Sequence, residues 1–111
     1  MTFDDYQQQS RKTALYPDLG NNLVYPTLGL SDEVGEVSGK IKKYLRGDDG
    51  EGDMSPERRE GLKKELGDVL WYVAQLATEL DYSLNDIAQT NIDKLFSRLD
   101  RGVIKGDGDN R

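Results

Sequence analysis

Apolar residues recur along the chain at helical spacing, and no stretch of useful length shows the period-two alternation of a half-buried strand. Four segments carry the helical pattern, separated by three breakers. The first predicted helix starts at Thr2, where Thr followed three residues later by Asp5 resembles a capping box, and runs to Tyr16 ahead of Pro17 and Gly20. It is mostly polar, and its Gln7, Gln8, Gln9 run is too short to count as low complexity. The second starts at Pro26, a favoured first-turn residue, and carries Leu30, Val34, Val37, Ile41, Tyr44 and Leu45 in one apolar stripe to Gly47, a C-terminal cap. Ser55 caps the third, with Pro56 in its first turn, and the pattern runs to Leu80, about 25 residues or ~37 Å at 1.5 Å per residue. Its positions Leu62, Leu66, Val69, Val73, Leu76, Ala77 and Leu80 form the longest stripe, so this helix is expected to be the spine. Ser83 caps the fourth, which uses Leu84, Ile87, Ala88, Leu95 and Leu99 and stops at Gly102. The expected fold is all-α and four-helix bundle-like, a single domain over 1–111 with 102–111 as an extended C-terminal tail.

The segment GDDGEGDM at 47–54 is rich in glycine and acid, a poor helix former that either stays mobile or orders around something bound. The chain has 111 residues, 15 Lys plus Arg, 21 Asp plus Glu and no His, for a net charge of −6, which argues against unspecific binding to nucleic acid. With 35% hydrophobic and 32% charged residues, a lone chain buries a modest core, so homo-oligomerisation is expected. The absence of Cys and His removes disulfides, thiol catalysis, zinc–thiolate sites, the Ser-His-Asp triad and histidine metal sites. What chemistry remains is oxygen chemistry. The polar, acidic N-terminus and the lack of a membrane-length apolar run predict no signal peptide, no membrane anchor and a cytoplasmic protein.

Glu33 and Glu36 lie three apart on the second predicted helix, and Glu65 and Asp68 three apart on the third. A projection at ~100° per residue puts each pair at the margin of its helix's apolar stripe, with Tyr72 in line with the second pair. When two helices pack through their stripes the margins meet, and four carboxylates converge. Like charges so close repel and raise their pKa values unless a cation stands between them, so the constellation implies a metal. Carboxylate ligands without imidazole or thiolate favour Mg²⁺, Mn²⁺ or Ca²⁺, and Mg²⁺ shares its shell with substrate phosphates. The di-iron bundles pair Glu with a His that this chain lacks. Acidic pairs at this spacing also occur on ordinary solvated faces, and Glu36 with Lys40 or Lys64 with Asp68 has the i, i+4 spacing of a simple ion pair. On the fourth helix Asn91, Lys94 and Arg98 share one face, where the two cations suit phosphate oxygens or, equally, the negative end of a helix dipole.

The ordered set Glu33-x-x-Glu36, Glu65-x-x-Asp68 and Lys94-x-x-x-Arg98 resembles the MazG-like all-α nucleoside triphosphate pyrophosphohydrolases, relatives of the dimeric dUTPases, dCTP pyrophosphatases and phosphoribosyl-ATP pyrophosphohydrolases. The stretches YPTLGLSDEVGEVSGKIKK, SPERREGLKKELGDVLWYVAQLA, NIDKLFSR and RGVIKGDGDNR extend the likeness over nearly the whole chain. The resemblance implies hydrolysis of a (d)NTP to the monophosphate and pyrophosphate, in nucleotide-pool house-cleaning, with Mg²⁺ as cofactor and Mn²⁺ able to substitute. It implies Glu33, Glu36, Glu65 and Asp68 as metal ligands, one of the first pair also orienting or deprotonating the attacking water. It further implies Lys94 and Arg98, joined by Lys40 or Lys43, on the phosphates, and Tyr72 and Asn91 near the nucleoside. Trp71 projects away from its helix's stripe and is expected at a subunit contact rather than stacked on the base, on its large apolar area. The implied assembly is a dimer or tetramer in which one subunit completes the site of another. A non-catalytic acidic interaction module, or a pyrophosphohydrolase acting on a metabolite such as phosphoribosyl-ATP, stands as the alternative. Asp107 and Asp109 of the tail add charge unfavourable to a phosphate site and either serve a metal or stay in solvent, the second being the favoured expectation for a terminus.

Overall fold

The computed structural model describes residues 1–111, folded as four helices without strands: α1 (Phe3–Arg11), α2 (Val24–Leu45), α3 (Pro56–Glu79) and α4 (Leu84–Asp100). Three starts follow the capping chemistry of the sequence. Thr2 and Asp5 form the expected reciprocal box, and the hydroxyls of Ser55 and Ser83 accept from the N–H groups of Arg58 and Asp86. The fourth does not: α2 begins at Val24 rather than Pro26, because Asn22 Oδ1 accepts from the N–H groups of both Val24 and Tyr25. Pro26 still lies in the first turn, where its missing N–H has no intrahelical partner to lose. Helix α1 ends at Arg11, not Tyr16. Its chain tightens into i to i+3 turns at Lys12, Thr13 and Ala14, and the Thr13 hydroxyl donates back to the Ser10 carbonyl. That turn lets Ala14 and Tyr16 tuck inward, where they are buried.

The helices α2 and α3 run against each other, α1 crosses α3, and α4 meets α1 and α3 but not α2. Gln7 stitches α1 to the α3–α4 corner, its amide donating to Thr78 Oγ1 and the Tyr82 carbonyl and accepting from the Leu84 N–H. The corner itself is a Schellman turn with Asp81 at φ +62°, closed by Tyr82 N–H to the Ala77 carbonyl and Asp81 N–H to the Thr78 carbonyl. The Glu79 carboxylate, with no exposed side-chain surface, accepts from the N–H groups of Gly20 and Asn22 and pairs with Arg11 at 3.2 Å. It ties the α1–α2 connection to α3.

Only nine of the 111 residues are buried, among them Ala14, Tyr16, Ala74, Ala77 and Leu84. The long stripe of α3 is therefore not a closed core. Leu66 and Leu80 stay largely exposed, as do Leu28 and Val34 of α2 and Phe96 and Leu99 of α4. The radius of gyration is 17.2 Å, against about 13 Å for a compact chain of this length. The accessible surface is 8041 Å² for 12.5 kDa, against roughly 6,200 Å² for a compact monomer of that mass. The chain is an open arrangement of helices rather than a closed four-helix bundle.

Two segments differ from their sequence reading. The 47–54 loop is ordered from within: Asp49, its side chain 6% exposed, accepts from Arg58 Nη2 at 2.7 Å and from the Ser55 N–H, so the acid clamps the start of α3. The Arg58 guanidinium holds the Asp49 carboxyl below the usual carboxylate range. The tail is not extended but folds back on α4 through a series of turns. No helix is long and apolar enough to cross a membrane.

Candidate active site

Packing α2 along α3 sets Glu33 opposite Glu65 and Asp68, and carboxylate oxygens of the three lie within 4.8 Å of one another. Glu33 and Glu65 are half-buried and Asp68 is exposed. Burial pushes the Glu33 carboxyl up, and the charges of Asp68, Glu65 and Asp32 push it further. One cation relieves the group: Lys40, two turns along α2, places Nζ 3.5 Å from Glu65 Oε1. Neither i, i+4 ion pair of the sequence forms, since Lys40 turns across to α3 instead of to Glu36, and Lys64 and Asp68 do not pair. Three clustered carboxylates with no nitrogen or sulfur donor fit a hard divalent cation and do not fit zinc or copper. Glu36, the fourth expected ligand, is exposed and outside the group. Sixty degrees of helix separate it from Glu33, enough to turn one side chain toward α3 and leave the other toward solvent.

An aromatic wall flanks the acids. Tyr72, one turn beyond Asp68, lies so flat on α2 that a Cβ built on Gly29 would stand 2.1 Å from its Cε1. Its phenol is pushed up first by burial, then by Tyr25, Glu33 and Asp32, which places the hydroxyl in the field of the acid cluster. Tyr25 is tilted against Tyr72 with centroids 6.5 Å apart, and Tyr16 stacks on Tyr25 at 4.9 Å. Tyr6 of α1 is likewise pushed up by burial and then by Asp68. Sequence reasoning found Tyr72 and missed the other three. A signal existed: Tyr25, Gly29 and Glu33 lie at i, i+4, i+8 on one face of α2, but starting that helix at Pro26 cut the line short. Trp71 has partners within its own chain. Its Nε1 donates to Thr13 Oγ1 at 2.8 Å and its ring meets Tyr72 edge-on, so the segment after α1 engages it within the chain.

The expected phosphate-binding set is divided. Lys40 stands at the acids, and Lys43 is exposed and makes no ion pair. Lys94 and Arg98 are on α4, where both bond to Asp109 of the tail rather than to any residue of the acid cluster. Asn91 is exposed and shares with Lys94 a groove of about 420 Å³ that Tyr82, Asp86, Ile87 and Thr90 also line. Asp109, expected in solvent, is thus a partner of both cations, and its carboxyl is held below the usual range by Lys94 and then Arg98.

The chain is 50% identical over 116 aligned residues to the Gene 37 protein of Mycobacterium phage L5, and the alignment covers all of both chains. No solved structure matches it. The MazG nucleotide pyrophosphohydrolase domain matches residues 26–103, from the first turn of α2, across Glu33, Glu65, Asp68, Lys94 and Arg98, to the turn after α4. This chain belongs to the MazG nucleotide pyrophosphohydrolase family.

Proposed function

We propose that this protein hydrolyses a nucleoside triphosphate to the monophosphate and pyrophosphate, in control of the nucleotide pool, with Mg²⁺ as cofactor and Mn²⁺ as a substitute. The observation that carries the reading is the convergence of Glu33, Glu65 and Asp68 within 4.8 Å from two helices. These three would hold the metal, which when bound neutralises phosphate charge and lowers the pKa of water. The rest is done by the chain. Glu36, exposed and without an ion-pair partner, accepts the proton of the attacking water. Glu33 helps orient that water while Lys40, already at Glu65, lends positive charge to the phosphate oxygens. Tyr72 packs on the sugar or base, and Asn91 donates to the nucleoside. Lys94 and Lys43 complete the charge on the leaving pyrophosphate, with Arg98 adding positive charge from behind Asp109.

Within one chain Lys94 and Arg98 bond to Asp109 and to none of the three acids, so in an assembly the Lys94 of one copy would serve the acids of a second. The surface beyond that of a compact monomer, together with exposed Leu66, Phe96 and Leu99, supports a homodimer or a dimer of dimers, with the whole of 1–111 acting as one domain. No nucleic acid or membrane partner is needed. Pyrophosphate release from a panel of dNTPs and NTPs with Mg²⁺ tests the reading, with Glu33→Ala, Glu36→Ala and Asp68→Ala as controls. Wild type turning over at least one triphosphate well above all three variants is expected; uniform inactivity of all four would remove the enzyme reading.

A further inference from the structure

The C-terminal segment has a path written into its sequence. Gly102, at φ +69°, ends α4 in a Schellman turn in which the Gly102 N–H donates to the Leu99 carbonyl and the Val103 N–H to the Arg98 carbonyl. Gly106 and Gly108, at φ +134° and +86°, bend the chain back through conformations that other residues rarely adopt. Arg111 then closes a ring. Its guanidinium donates to the carbonyls of Val103, Ile104 and Gly108, and its own carbonyl accepts from Arg101 Nη2.

What the ring presents to α4 is Asp109. One carboxylate oxygen accepts from Lys94 Nζ at 2.8 Å and from Arg98 Nη2 at 3.2 Å, while the Asp109 backbone carbonyl accepts from Arg98 as well. The Arg98 side chain is only 7% exposed although Leu95, Phe96, Ser97, Leu99 and Asp100 around it in sequence are all exposed, and its buried Nε has no partner. Lys94 keeps a different balance. Its side chain is 37% exposed, it borders the groove lined by Asn91 and Thr90, and its ammonium has two further donors after the bond to Asp109.

We propose that Asp109 is a positioning residue for the phosphate site: it fixes the Lys94 ammonium beside that groove, and Arg111 holds Asp109 in place. The inference rests on the reading of Lys94 as a phosphate ligand. A free lysine side chain must be ordered when a phosphate binds it, whereas one already held by a carboxylate has lost that freedom beforehand. Asp109 is itself 77% exposed, so water and salt weaken its competing charge at the phosphate. Arg98, buried beneath the tail, anchors the arrangement from below.

Binding of inorganic pyrophosphate by calorimetry, and KM and kcat for a triphosphate that the protein turns over, test this on the full-length chain. Asp109→Asn is expected to weaken pyrophosphate and raise KM by about 3- to 10-fold, the cost of ordering one long side chain, with KM moving more than kcat and the melting temperature nearly unchanged. Asp109→Glu should recover part of the loss, and Arg111→Gln, which opens the ring without touching Lys94, should reproduce it. Unchanged or tighter pyrophosphate binding in Asp109→Asn overturns the inference, the tighter case making Asp109 a competitor of phosphate. Lys94→Ala separates the two levels. If it too binds pyrophosphate like wild type, the phosphate reading of Lys94 fails and this inference with it; if only Lys94→Ala is impaired, the inference alone fails.

Discussion

The two charged regions of this molecule solve the same electrostatic problem in opposite ways. On α2 and α3, Glu33, Glu65 and Asp68 face one another with a single lysine 3.5 Å from one of them, and the Glu33 carboxyl is pushed up by burial and then by its acidic neighbours. On α4, Lys94 and Arg98 are met by a carboxylate from their own chain. The acid cluster is left short of countercharge and the basic cluster is supplied with it. A site that waits for a cation must tolerate repulsion when empty; a site that receives an anion is better kept ordered by a group that one donor can satisfy while the others remain available.

The largest expected effect breaks the acid side of the comparison. Asp68→Ala or Glu33→Ala removes one of three converging carboxylates, and turnover should fall on the order of 100-fold or more. Glu36→Ala should separate two roles: because Glu36 is outside the cluster, turnover falls while stabilisation by Mg²⁺ survives. A melting experiment reads the second quantity. Mg²⁺ at 100 times its dissociation constant should stabilise the wild type by about 2.7 kcal/mol relative to EDTA. Identical melting temperatures with and without metal would show that the cluster holds none.

Next in size is Gly29→Ala. A methyl group there would stand 2.1–2.5 Å from three atoms of the Tyr72 ring, so the ring must leave α2 or the helices must part, at about 1–3 kcal/mol. Denaturant melts should show the loss, and substrate affinity should fall with it if Tyr72 packs on the nucleoside. Gly61→Ala provides the contrast, since its nearest neighbour is the flexible end of Lys40 at 3.5 Å. A Gly29→Ala protein as stable as wild type would mean that Tyr72 does not lie on α2 in solution.

How much of this was legible in the sequence depends on how local the cause is. The caps Thr2, Ser55 and Ser83 act on the residues beside them, and α3 and α4 follow the expected bounds closely. The acid pairs were legible because i, i+3 spacing fixes a face, but the spacing could not say that Glu33 turns inward and Glu36 does not. Helical periodicity also cannot tell a stripe that meets its own chain from one that does not: the α3 stripe was read as the spine of a core, yet Leu66 is 58% exposed. The least legible contacts cross loops. Asp49 reaches Arg58 and Asp109 reaches Lys94 through glycine-rich turns whose positive φ values set where each acid lands. Composition marks such a segment as irregular without saying where it goes.

The smallest effect is also the sharpest form of the contrast, because the two clusters should respond to acid in opposite senses. Glu33 titrates above the ordinary value of 4.5, so its ionised form disfavours the metal-free fold. Its contribution is most favourable below pH 4.5 and is lost as the pH rises through the raised value. Asp109 titrates below the ordinary value of 3.8. Its contribution is present above pH 3.8 and is lost as the pH falls through the lowered value, when Lys94 and Arg98 lose their acceptor. A carboxyl-carbon NMR titration of the metal-free protein follows both groups in one sample: the Glu33 midpoint should lie above 4.5 and the Asp109 midpoint below 3.8. Salt should draw the Asp109 midpoint back toward 3.8, since that acid is exposed to the screening ions. Added Mg²⁺ should lower the Glu33 midpoint and leave that of Asp109 where it was, because bound metal turns the repulsion at the first cluster into attraction. Metal-insensitive midpoints at the two ordinary values would mean that neither cluster is assembled in solution.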